Sequence, residues 1–108
     1  MNEKYILVDQ HPVPEPDVIA WGRWFENAKD QRIVCRTTVG DANVSTVFLA
    51  IDHRFFGDGP PILWETIIFG GRYDEWQARH TSREDAERHH RKVVEALRND
   101  DKAFFRHG

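Results

Sequence analysis

Four polar residues, at three places in the chain, stand where a side chain of their type could do chemistry. Glu65 lies inside ILWETIIF, where nearly every neighbour is apolar. A carboxylate in such a run is paired, protonated with a raised pKa, or turned outward. Paired, for instance with Arg36 across a sheet, it is structural. Set in a pocket, it is a general acid or base. Asp52-His53 opens a long loop directly after an apolar run. A loop held by a rigid strand is a good place for chemistry, and an acid beside an imidazole can bind a metal or relay a proton. Asp at a strand end is equally a turn former. His90 sits on the apolar stripe of the last predicted helix, either as a satisfied core residue or as the third member of a Glu65, His53 and His90 set.

Other patterns argue against specific chemistries. There is no H-E-x-x-H and no cysteine pair, so no metal and no cofactor are expected. His89 and His90 are neighbours about 100° apart on a helix and cannot share one metal from the same face. Gly57-Asp58-Gly59 lacks the Lys-Ser/Thr of a phosphate loop and runs into Pro60-Pro61, not a helix. Ser45 and Thr46 lie mid-strand, without the sharp turn that exposes a nucleophile. Cys35 reads as a small apolar residue.

The apolar residues offer a second kind of site. Arg54-Phe55-Phe56 falls in the same long loop, and two adjacent phenylalanines beside an arginine form a protein-binding hot spot when exposed. Trp24 and Trp76 are further candidates for partner contact.

The elements that must position these residues centre on Val44–Gly71. Two strand-length apolar runs, Val44–Ile51 and Ile62–Phe69, flank the loop Asp52–Pro61. Val44, Phe48 and Ala50 alternate with Val47, Leu49 and Ile51, so both faces are apolar and both should be covered. Gln31–Val39 is a further strand, joined to Val44–Ile51 by a turn at Gly40–Asn43. Lys4–Val8 is a first or edge strand. Pro12, Pro14 and Pro16 hold the next segment extended and argue against regular pairing there. A helix then runs to about Asp30, with Val18, Trp21, Phe25 and Ala28 on one face and Trp24 beside them. Arg72–His80 has no clean period and reads as irregular. Thr81-x-x-Glu84 and Ser82-x-x-Asp85 are capping boxes before a helix over Arg83–Arg98. Ala86, His90, Val93, Val94 and Leu97 make its inner stripe. The tail from about residue 100 is expected to be loose, with Phe104 and Phe105 able to dock on the body.

The 108 residues suit one domain with a core that needs no metal or disulfide staple. The single cysteine fits a reducing cytoplasm, and the N-terminus shows no signal pattern. No apolar run reaches membrane-span length. Net charge is −3, with the acidic excess in the first thirty residues, which excludes the concentrated basic face of a nucleic-acid binder.

Several strings occur together: PEPD followed by WGRWFE, then VSTVFLAIDH, GPPILWETIIFGG, and a late helix after Thr-Ser. Jointly they resemble a family of small, mostly uncharacterised proteins of bacteriophages, prophages and bacteria, from about Tyr5 to Ala96. The central loop AIDHRFFGDGPP departs from the shorter, more glycine-rich segment expected of that family. The resemblance implies a phage-associated accessory protein that binds a host protein, including components of defence systems.

The sequence therefore predicts an α+β domain in the order β-α-β-β-β-α, with a mainly antiparallel sheet of three or four strands and two helices. The apolar alternation on both sheet faces points to a homodimer. The leading expectation is a non-enzymatic interaction protein. The competing one is a small hydrolase or ligand-binding domain using Glu65, His53 and His90.

Overall fold

The computed structural model describes residues 2–106. Its elements are β1 (Tyr5–Val8), β2 (His11–Pro14), α1 (Val18–Asn27), β3 (Ile33–Val39), β4 (Ala42–Phe48), β5 (Trp64–Phe69), β6 (Gln77–His80), α2 (Arg83–Arg98) and α3 (Lys102–Arg106). The class is α+β and the sheets are antiparallel, as expected. β2, β6 and α3 are additions to the predicted order.

β1 does not join the edge of the main sheet as a strand. It pairs with β2 in a two-stranded sheet closed by the turn Asp9-Gln10, whose φ angles are +51° and +69°. The prolines permit this pairing. The amide of Glu15 donates to the Lys4 carbonyl at 2.8 Å, and inward-facing amides recur at every second residue. His11, Val13 and Glu15 therefore face β1, while Pro12, Pro14 and Pro16 face away, where a missing N–H breaks no rung. The other side of β1 meets the chain leaving β4: the amide of Tyr5 donates to the Ala50 carbonyl at 2.8 Å.

α1 begins at the N-cap Asp17, whose Oδ1 accepts from the amides of Ile19 and Ala20 at 3.0 and 3.2 Å. It ends at Asn27, short of the expected Asp30. No α1 residue is fully buried. Trp21, Trp24 and Phe25 lie half-buried against a core of Tyr5, Leu7, Phe48, Ala50, Leu63, Trp64 and Ala86. The indole N–H of Trp21 donates to the carbonyls of both Tyr5 and Ala50, pinning α1 to the junction of the two sheets.

The main sheet has the order β3-β4-β5-β6. The β3–β4 turn is shorter than predicted: Gly40 and Asp41 alone connect Val39 to Ala42, with Gly40 at φ +58°. β4 and β5 pair Val44 with Ile68, Thr46 with Thr66 and Phe48 with Trp64. These residues share one face, and α2 lies across it through Ala86, His90, Val93 and Val94. Completely burying a side chain such as Phe48 contributes about 2–3 kcal/mol. α2 thus covers this face of the sheet. Among the described elements only α2 packs extensively on β3 to β6. The opposite face carries Asn43, Ser45, Val47, Glu65, Ile67 and Phe69, with Phe69 exposed.

α2 has the predicted boundaries, and Ser82 is its cap: the hydroxyl accepts from the Asp85 amide at 3.1 Å. The predicted loose tail instead forms α3 on the body. Phe105 is buried, stacked on Tyr73 at 4.1 Å and edge-on to Trp76 at 5.4 Å. His107 and Gly108, the end of that tail, lie outside the described residues.

Candidate functional site

The loop between β4 and β5 is built from its own polar groups. Asp52 accepts on Oδ1 from the amides of Arg54 and Ile62 at 2.8 and 2.9 Å, drawing the two ends of the loop together. The amide of His53 donates to the Ile62 carbonyl at 2.9 Å. The guanidinium Nε of Arg54 donates to the Pro60 carbonyl at 2.9 Å, crossing the loop beneath its tip. Asn2 donates its side-chain amide to the Asp52 carbonyl from outside. A loop of this length therefore holds its shape through specific bonds, a compact arrangement that loops with binding roles share.

What the loop displays is apolar. Phe55 is 61% exposed and Phe56 is 90% exposed. His53 is inward: its Nδ1 shares a hydrogen bond with the Ile51 carbonyl at 2.8 Å, and its ring lies 5.8 Å from that of Phe55. Arg54 is half-buried and serves as the brace. The Arg54-Phe55-Phe56 expectation is thus divided by the structure: the arginine shapes the loop and the phenylalanines form its surface.

The other expected contacts face inward. Trp24 meets Phe48 edge-on at 6.0 Å. Trp76 is half-buried among Phe104, Phe105 and His89. Both rings pack within the chain and are half-buried, so each offers a partner only part of its surface.

Glu65, His53 and His90 do not converge. Glu65 is only 7% exposed, yet it lies on the sheet face opposite α2. Its Oε2 accepts from Nε of Arg79 at 2.9 Å, so its partner is the β6 arginine opposite it in register and not Arg36. His90 is on the other face, under α2, and His53 is in the loop. Among the described residues no group of His, Cys, Asp and Glu has the geometry to hold a metal ion.

His90 is part of a polar chain that the sequence did not disclose. Its Nε2 bonds Thr37 Oγ1 at 2.9 Å and its Nδ1 bonds Thr46 Oγ1 at 2.8 Å. Thr46 continues to Thr66 Oγ1 at 2.7 Å, and Thr66 to Nε2 of His80 at 3.2 Å. The chain thus crosses β3, β4, β5 and β6 in turn. A neutral imidazole donates from one nitrogen and accepts at the other, so His90 is satisfied without charge. Burial, and secondarily the charge of Arg91, holds its pKa below the ordinary value. Burial pushes His80 down to about 4, assisted by His89 and opposed by Asp85. His90 is thus buried and bonded at both ring nitrogens, the arrangement of a satisfied core histidine.

Comparison with protein-family models, curated proteins and solved structures finds no match. No described helix is long and apolar enough to cross a membrane.

Proposed function

We propose that this protein is a non-enzymatic binding module that docks a protein partner through Phe55 and Phe56. The observation that carries this reading is the braced loop. Two large apolar side chains are held in solvent by a loop braced internally through Asp52 and Arg54. Exposing phenylalanine is unfavourable for the isolated chain, and a preorganised loop loses little further entropy when it docks. Aromatic anchors of this kind dominate interface energetics.

The remaining parts of the proposal rest on sequence. The phage or prophage setting, with a host defence component as the partner, follows from the resemblance of PEPD, WGRWFE, VSTVFLAIDH and GPPILWETIIFGG taken together. A cytoplasmic location follows from cysteine usage. A homodimer is favoured by the exposed Phe69 beside Ile67 and Val47 on the sheet face that α2 leaves open. A hydrolase using Glu65, His53 and His90 is disfavoured by the separation of those side chains.

The test compares the tagged protein with a variant carrying Phe55→Ala and Phe56→Ala, each recovered from its natural host and analysed by mass spectrometry. The wild type should enrich one protein at defined stoichiometry, and the variant should lose it by at least about tenfold, as expected for hot-spot truncation. Circular dichroism should report the same fold for both. Undiminished capture by the variant would remove the loop from the interface.

A further inference from the structure

An open cleft of about 270 Å³ lies between the edge strand β6 and α2. It is lined by Arg79, His80, Asp85, Arg88, His89 and Lys92. Asp85, His89 and Lys92 follow one another along α2 at spacings of about one turn, with Arg88 beside them. His80 closes the cleft from β6, its ring 5.0 Å from that of His89 in an edge-to-face arrangement.

The two imidazoles differ in how the protein holds them. His80 is tied through Nε2 to Thr66, at the end of the polar chain described above. His89 has a buried Nδ1 with no hydrogen-bond partner among the described residues, so its tautomer is not fixed from within the fold. Burial lowers the pKa of His89, and the charge of Lys92 lowers it further. Both rings are therefore neutral near pH 7, in a cleft whose helix side carries two cations.

Two ligand classes suit histidines with an aspartate nearby. A divalent metal is the first. Asp85 is already paired with Arg88 at 3.1 Å, and Arg88 and Lys92 would repel a cation. An anion is the second, and those same charges favour it. Arg79 lines the cleft but gives its guanidinium to Glu65, so the charge comes from Arg88 and Lys92. Arg88 is also close to Glu84, at 3.5 Å, so an anion has to compete with two carboxylates for it while Lys92 supplies the second contact.

We propose that this cleft binds a phosphate dianion, free or as the monoester of a small molecule, with Lys92 and Arg88 as charge partners and His80 and His89 as a proton-accepting pair. A second negative charge entering the cleft favours the imidazolium form of one ring. Binding is then accompanied by fractional proton uptake from solvent near neutral pH, and no covalent bond changes. The volume accommodates a phosphate and a short stem.

The experiment follows the imidazole resonances of the full chain by NMR near neutral pH. Inorganic phosphate and glycerol 3-phosphate are the probes, with sodium chloride at equal ionic strength as the reference. Both probes should shift His80 and His89 saturably and raise their pKa values by about one unit, the size of effect a close charge produces. His11 and His53 should stay where they are. Equal affinity for the two probes assigns the free anion, and tighter binding of the ester assigns a small phosphorylated molecule. Lys92→Ala with Arg88→Ala, two exposed positions, should weaken binding about tenfold or more. Arg23→Ala, on the outer side of α1, should not. The site is refuted if phosphate moves His80 and His89 no more than His11 and His53, if the double variant binds like the wild type, or if zinc shifts the pair while phosphate does not.

Discussion

His90 on α2 and Thr46 on β4 share a hydrogen bond of 2.8 Å across the helix–sheet interface, with both residues almost completely buried. Thr46 also serves Thr66, so one hydroxyl links helix to sheet and strand to strand. Thr46→Val keeps the shape and removes that hydroxyl. His90 Nδ1 and Thr66 Oγ1 are then left buried with a bond missing. Urea unfolding should show a loss of about 2–3 kcal/mol, the cost of orphaning buried polar groups. A neutral result would mean that the chain of hydroxyls and imidazoles adds no stability.

Stability should depend on pH through the same histidines. His80 is pushed down to about 4 in the fold, against 6.5 ordinarily, so the unfolded chain binds its proton first. The contribution is fully present above pH 6.5 and is lost as pH falls through that value towards 4. His89 and His90 are shifted in the same direction. His80 alone should account for about 2 kcal/mol, allowing for partial solvent access. Urea midpoints measured between about pH 7.5 and pH 4.5 should fall, and His80→Gln should flatten the slope. A midpoint constant over that range would contradict the neutral buried state.

The Glu65–Arg79 pair lends itself to a double-mutant cycle. Arg79→Ala strands a nearly buried carboxylate and should cost about 1–2 kcal/mol, less than a fully buried pair because Arg79 is 40% exposed. In a Glu65→Leu background the same change should cost close to nothing. Equal costs in the two backgrounds would show that the arginine acts through packing alone.

The Asp9-Gln10 turn places two non-glycine residues at positive φ. Gln10→Gly supplies the residue that such a turn prefers and should stabilise by about 0.5–1 kcal/mol, with amide exchange in β1 slowed. Destabilisation would mean that the Gln10 side chain has a role of its own.

The helices were legible because their signals are local. Ser82, the acidic first turn and the stripe of Ala86, His90, Val93 and Val94 define α2 without reference to the rest of the chain. β6 was not legible: Gln77-Ala78-Arg79-His80 carries no β-branched residue and is a strand only because β5 offers it an edge. β2 was hidden by its prolines, whose effect depends on which way each amide points. The same distinction governs the sites. Phe55 and Phe56 stood out as adjacent aromatics in a long loop. The His80–His89 cleft exists only once β6 lies beside α2, and no spacing along the chain encodes that. Glu65 was marked by its apolar neighbours, but its partner on β6 could not be named until the register was known.

The alternation of Pro12, Pro14 and Pro16 has a consequence beyond the hairpin. The outer rim of β2 offers carbonyls but no amide hydrogens, so a passing strand finds only half of the rungs it needs. The hairpin is thereby protected against edge-to-edge aggregation by a feature that costs its own pairing nothing.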